Sequence, residues 1–205
     1  MTNFDREIER FKEWAVGRES TYGEWECDYE NWHDLWEASE ETMRRYENES
    51  PSDEASSKLL YVIARDNELE RLRNTLVEYP GLLRHLASIA HSCPEPDAKW
   101  QIAVSIADAQ LPEAADLIRP FLTDSSEYVR RRSLLAIAPF SPSEAEEIAK
   151  DWMTEEYEYS RIAGLHVLNI VNSEELPLYL KRHEKDCSQH VRSNVDEIRR
   201  QRIKA

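Results

Sequence analysis

Glycine is scarce in this 205-residue chain, which contains only four. That scarcity argues against a sheet protein built on tight hairpins, whose turns need residues tolerant of left-handed backbone. It also argues against Gly-rich phosphate loops, and no GxGxxG, GxxxxGKS/T or GxSxG pattern occurs. Cysteine is nearly as rare. Cys27, Cys93 and Cys187 are odd in number and far apart, which suits reduced thiols in a cytoplasm better than a disulfide framework. Long apolar runs are missing as well. No stretch approaches the ~18 apolar residues of a membrane span, and the opening MTNFDREIERFKEW has no uncharged apolar region of the secretory kind. The composition fits a soluble, cytoplasmic, all-helical protein.

What is present is a large excess of acid. The chain carries 41 Asp and Glu against 26 Lys and Arg, a net charge of −15, while 40% hydrophobic residues suffice for a packed core. The excess is uneven. Residues 1–57 hold 17 acids and 6 bases, whereas from Lys181 onward eight bases face four acids. Such asymmetry bears on partners and solubility, not on fold.

Periodicity predicts two amphipathic helices before Pro51, the first on Phe4, Ile8, Phe11 and Ala15, the second on a stripe of Trp25, Tyr29, Trp32 and Trp36. Ser50-Pro51-Ser52-Asp53 reads as a break followed by a helix N-cap. Residues 55–78 form one long helix or two short ones interrupted near Asp66-Asn67. From Pro80 onward a period of 31 emerges. Lys99, Arg130, Arg161 and Arg192 fall in one column. Ala103, Leu134 and Leu165 share another, Ile106, Ile137 and Leu168 a third, and Leu117, Ile148 and Tyr179 a fourth. The expected helix pairs are about 81–91 with 96–109, 112–122 with 126–138, 142–153 with 157–170, and 173–183 with 188–202, with ends good to ~2–4 residues. A lone pair cannot bury its apolar face, so the units are expected to stack.

This pattern resembles the HEAT-repeat family, whose motif sets an acid in the inter-helix turn and Val-Arg at the start of the second helix. The matching residues are Asp124 with Val129-Arg130, Asp186 with Val191-Arg192 and, more loosely, Glu155 with Ser160-Arg161. The first unit departs furthest, with Cys93 and Lys99 in those places. The resemblance covers about residues 80–205, is weak over 55–79, and is missing from 1–50. It implies an all-α, HEAT-like solenoid at residues 51–205, preceded by an acidic, aromatic-rich helical segment at 1–50. It also implies that the turn acids and column arginines form an internal ladder.

Function is less directly written. The cationic column invites a nucleic-acid reading, but internal pairing takes precedence and a charge of −15 opposes duplex binding. His183, Cys187 and His190 have ligand-like spacing, yet the repeat places a turn between them and His183 in the packing column of Phe121 and Trp152, so no metal or other cofactor is expected. No nucleophile with a base, and no carboxylate pair, stands out. Tyr128-Val129-Arg130-Arg131 resembles the aromatic and arginine pattern of the HEAT-like alkyl-purine DNA glycosylases. Those proteins need a basic concave face that the chain as a whole lacks, and their catalytic acid corresponds to no residue here.

The segment Glu19–Glu41 contains nine acids, no Lys or Arg, and interleaved Tyr22, Trp25, Tyr29, Trp32 and Trp36. Carboxylates beside large aromatics suit the surface of a basic protein, with charge steering and rings supplying contact area. The plainer reading is an amphipathic helix with its rings inward. Candidate partner-binding residues are therefore Glu24, Trp25, Asp28, Tyr29, Trp32 and Trp36. On the repeats, Trp100, Arg131, Leu135 and His166 are candidates for a groove lined by second helices. The expected role is a non-enzymatic protein-binding module, an acidic inhibitor or immunity-type protein that covers a basic toxin or nuclease. A glycosylase-like enzyme and a chaperone or scaffold solenoid, including relatives of the bilin-lyase group, are the alternatives.

Overall fold

A computed structural model describes residues 2–18 and 25–204 of the chain. Regular structure among them is entirely helical. Contacts group the chain into two compact units, Met1–Glu113 and Ala114–Ala205.

The first unit opens with α1 (Asn3–Ala15), set by a reciprocal cap. The Asp5 amide donates to Thr2 Oγ1 at 3.1 Å, and the Thr2 amide donates to Asp5 Oδ2 at 2.8 Å. Phe4, Ile8, Phe11 and Ala15 are all buried, as their spacing requires. The second aromatic stripe is divided between elements. Trp25 lies in a 3-10 turn at Trp25–Asp28 and Tyr29 follows it, whereas Trp32 and Trp36 belong to α2 (Trp32–Tyr46). The Trp32 indole N–H donates to the Glu26 carbonyl at 2.8 Å and ties the turn to the helix.

Ser52 caps α3 (Asp53–Arg65), its hydroxyl accepting from the Ala55 amide at 3.2 Å. The stretch 55–78 proves to be two helices, α3 and α4 (Arg71–Leu76). Asp66 holds the corner. Its amide donates to the Val62 carbonyl at 3.1 Å and so closes α3, while its Oδ2 accepts from the Leu72 amide at 2.7 Å and so opens α4. Glu70 completes the corner in left-handed backbone, φ 52°. Helices α5 (Pro80–Ala90) and α6 (Pro96–Asp108) both start on proline, which gives up no helical hydrogen bond there. At Gly81 a Cβ would come within 2.6 Å of the Glu47 carbonyl oxygen, so only glycine permits the approach.

In the second unit, α7 (Ala114–Ile118) is shorter than the expected 112–122 helix and runs into a 3-10 turn, Arg119–Thr123. Pro120 lacks the N–H that would continue the α-helical ladder. The following elements are α8 (Glu127–Ile137), α9 (Pro142–Trp152), α10 (Glu158–Ile170), α11 (Leu176–His183) and α12 (Gln189–Lys204). Their ends fall within about three residues of the sequence expectation. Helix α10 packs against α8, α9, α11 and α12. At Gly164 a Cβ would lie 2.9 Å from the Ala149 carbonyl, so glycine is what lets α10 approach α9 this closely.

Two of the predicted apolar columns are buried, whereas Leu117, Ile148 and Tyr179 of the fourth are only half-buried. Leu134, Leu165, Ile137 and Leu168 are fully enclosed in the second unit, as are Ala103 and Ile106 in the first. Each enclosed Leu or Ile contributes roughly 1.5–3 kcal/mol. Three column arginines make the same pair of bonds. Arg130 Nη1 donates to the carbonyls of Asp124 and Ser125 at 2.7 and 3.1 Å. Arg161 Nη1 donates to those of Glu155 and Glu156, both at 2.8 Å, and Arg192 Nη1 to those of Asp186 and Cys187 at 2.5 and 3.0 Å. Each cation thus satisfies carbonyls in the turn before its own helix.

Candidate functional site

The acid-aromatic segment folds as a ring cluster with carboxylates outside it. Phe11 of α1 sits at the centre, 4.9 Å from the Tyr29 ring edge-on and 5.4 Å from Trp32. Trp25 stacks on Trp14 at 5.9 Å, and Trp32 on Trp36 at 5.5 Å. Trp25, Tyr29 and Trp32 are buried. These three rings therefore pack the unit, and the contact surface they present is small. Burial also raises the Tyr29 phenol above its ordinary pKa. Trp36 is half-buried, its indole N–H donating to Asp66 Oδ1 at 3.0 Å and its face covered by the Arg71 guanidinium at 4.9 Å.

The outward side of the turn and of α2 carries Asp28, Glu30, Asp34, Glu37 and Glu41, all exposed. Some of these acids have local partners. Arg10 bridges Glu7 and Asp34 at 3.3 and 3.1 Å, and His33 approaches Glu37 at 3.8 Å. Glu24 lies outside the described residues.

Beneath this ridge Glu7, Glu26 and Asp66 are buried. Asp66 is only 3% exposed, and burial pushes its pKa up to about 6 despite bonds from the Leu72 amide and the Trp36 indole. Burial also raises Glu26 above the usual carboxylate range, against the pull of Arg65.

The groove candidates are distributed between the units. Trp100, in the first, is buried, and its indole N–H donates to Asp97 at 3.0 Å. Arg131, Leu135 and His166, in the second, are each half-buried. Arg131 donates to Glu127 at 2.8 Å and lies over both Tyr128 and Tyr159, at 5.0 and 5.1 Å. A 2.7 Å hydrogen bond joins His166 Nε2 to Asn194 Oδ1. Arg131 thereby links α8 to α10, while His166 links α10 to α12.

His183 ends α11 with Nδ1 facing the Tyr179 carbonyl at 2.9 Å and Nε2 facing the Met153 carbonyl at 3.2 Å, a packing geometry. Among the described residues, no group of three or more His, Cys, Asp or Glu is arranged to hold a metal ion. Nor is any helix there long and apolar enough to cross a membrane.

Of two further constellations, the sequence singled out only Tyr128 and Arg131. Tyr128, Tyr159 and His190 recur at the period of 31, and with Arg131 they form an exposed aromatic-cation stack, Tyr159 lying 6.4 Å from His190. Their shared column was available as a signal. The Glu26–Arg65–Glu95 network joins distant segments, with Arg65 Nη2 donating to Glu95 at 2.7 Å, and no local pattern announces it. No protein-family model, curated protein or solved structure matches the chain.

Proposed function

We propose that this chain is a HEAT-type helical-repeat protein of a reducing, cytoplasmic setting. Its proposed role is non-enzymatic, binding a basic protein partner as an acidic inhibitor or immunity-type module. The repeat reading is supported by the common carbonyl bonds of Arg130, Arg161 and Arg192. It is supported further by the bidentate pair of Arg161 with the turn acid Asp186, at 2.9 and 2.7 Å.

The partner reading is carried by one observation: an exposed row of carboxylates held on a rigid aromatic base. A steep negative field accelerates encounter with a basic surface, and a packed base keeps the charges in register at little entropic cost. The rings fix the ridge from below, and the half-buried edge of Trp36 adds apolar contact area.

The test is affinity capture with nuclease treatment at low and moderate salt, comparing the native chain with an Asp28→Lys, Glu30→Lys, Glu37→Lys variant. One stoichiometric basic protein, weakened by salt and lost with the variant, is the expected result. Capture indifferent to charge reversal would sink the reading. The exposed stack of Tyr128, Arg131, Tyr159 and His190 favours a second reading, the glycosylase-like one, because aromatic faces and a guanidinium suit nucleobases. Recovery of nucleic acid alone would favour that alternative.

A further inference from the structure

A cavity of about 180 Å³ lies between the Trp25–Asp28 turn and the α3–α4 corner. Its walls carry three carboxylates, Glu26, Asp66 and Glu68, against one guanidinium, Arg65. Arg65 Nη2 donates to Glu95 at 2.7 Å and the guanidinium lies 5.1 Å from the centre of the Tyr61 ring, while its buried Nε makes no hydrogen bond. It meets Glu26 only at 3.6 Å, through Nη1 and Oε1. The other oxygen, Glu26 Oε2, is buried and accepts no hydrogen bond, in a residue 4% exposed. A buried carboxylate oxygen without a donor is costly, and a cation brought to it restores what burial removed.

We propose that this cavity receives one cationic head group, the guanidinium or ammonium of a basic side chain, with the Glu26 carboxylate as its principal acceptor. Asp66 and Glu68 supply the remaining negative field. The Trp32 ring gives an aliphatic stem a wall to pack on, and Leu69, 65% exposed, shields that stem at the rim. The volume is below that of drug-sized sites and matches a single side chain. The assignment rests on the basic-partner reading and names what such a partner inserts: an Arg or Lys anchor beside the acidic ridge.

The experiment uses n-butylguanidinium, its neutral counterpart n-butanol, and N-acetylarginine amide as probes of the full chain, read by ligand-observed NMR. Alkylation of Cys27, an exposed thiol on the cavity wall, is followed in parallel, with exposed Cys187 as reference. Both guanidinium probes are expected to bind saturably and n-butanol not to bind. Cys27 alkylation slows severalfold at saturation while that of Cys187 is unchanged. Glu26→Gln weakens binding by about tenfold or more, and Glu147→Gln, at an exposed position on α9 in the second unit, leaves it as it was.

Equal binding of n-butanol, native-like binding by folded Glu26→Gln, or no protection of Cys27 would overturn the cavity. If Glu26→Gln does not fold, Cys27 protection in the native chain decides alone. Rejection of N-acetylarginine amide with retention of n-butylguanidinium would overturn the side-chain source in favour of a small free organic cation. A basic protein captured through the ridge without any response at the cavity refutes only the cavity. A cation bound there without any basic protein captured refutes only the partner reading.

Discussion

The two units use aromatic and charged residues in opposite ways. Met1–Glu113 carries 25 acids against 12 bases, whereas Ala114–Ala205 carries 16 against 14. In the first unit the large rings are inside and the acids outside: Trp25, Tyr29 and Trp32 are buried under an exposed row of carboxylates. In the second, Tyr128, Tyr157 and Tyr159 are exposed, while the ion pair of Arg161 and Asp186 is enclosed, each side chain 8% exposed. Net charge alone does not make a binding surface. What matters is which groups a helix leaves exposed once its interior is packed, and the first unit leaves a row of acids while the second leaves tyrosine rings.

The largest test of this contrast removes the enclosed cation. Arg161→Ala strands Asp186, whose carboxyl burial pushes up but whose bonds from Arg161 and the Ser188 amide more than offset, holding it below the usual range. A loss of about 3–5 kcal/mol is expected. Urea unfolding followed by hydrogen exchange should place that loss in α10–α12, and an equal loss of protection in α1–α3 would break the comparison.

In the first unit, Asp66→Ala leaves the Leu72 amide and Trp36 indole without their acceptor, at a cost of about 1–3 kcal/mol. The same residue gives the first unit a pH dependence opposite in sign to that of paired carboxyls, which occur in both units, Asp5 and Glu113 among them. Between about pH 4 and pH 6 the folded chain holds a proton on Asp66 that the unfolded chain has released. Its stabilisation is therefore full below that window and is lost as pH rises through about 6. Asp186, Glu144 and Glu146 are held low by Arg161, Arg119 and Lys150, respectively. Their contribution is present above the ordinary carboxylate range and is lost as pH falls through their lowered values. Hydrogen exchange across pH 7 to 3 should show this divergence, and Asp66→Asn should flatten the slope between pH 4 and 6 in the first unit, where buried Glu26 supplies what remains.

Smaller effects sharpen the parallel. Gln110 and Asn172 stand two periods apart, and both adopt left-handed backbone, φ 53° and 55°, after α6 and α10. Gln110→Gly should raise stability by about 0.5–1 kcal/mol and Asn172→Gly by less, since Asn tolerates this region better. Matched thermal melts would check the order. Lys substitution at Asp28, Glu30 and Glu37 should move folding stability by no more than about 0.5 kcal/mol each. A larger change would mean that the ridge serves the fold rather than a partner.

Much of the helical layout was legible because its signals are local. Ser52 before α3, Pro80, Pro96 and Pro142 at helix starts, and Phe4, Ile8, Phe11 and Ala15 at one-turn spacing each act within a turn or two of chain. Where a second local signal competed, the expectation slipped. Pro120 cut short the helix after Pro112, and the 3-10 turn at Trp25–Asp28 separated rings that periodicity alone had joined. The cavity was not legible at all, because its walls join Glu26 and Cys27 to Arg65, Asp66 and Glu68, distant in the chain and sharing no repeat.

The sequence by itself determined an all-helical chain, the positions of most of its helices, and the concentration of acid near its start. These follow from periodicity, caps and composition, which need no knowledge of neighbours in space. Only the tertiary structure decided that Phe11 would draw Trp25, Tyr29 and Trp32 inward, that the acids would be left facing out, and that Glu26 would be buried with one oxygen unmatched. A side chain's exposure depends on what packs over it from elsewhere in the chain, and that is a property of the folded whole.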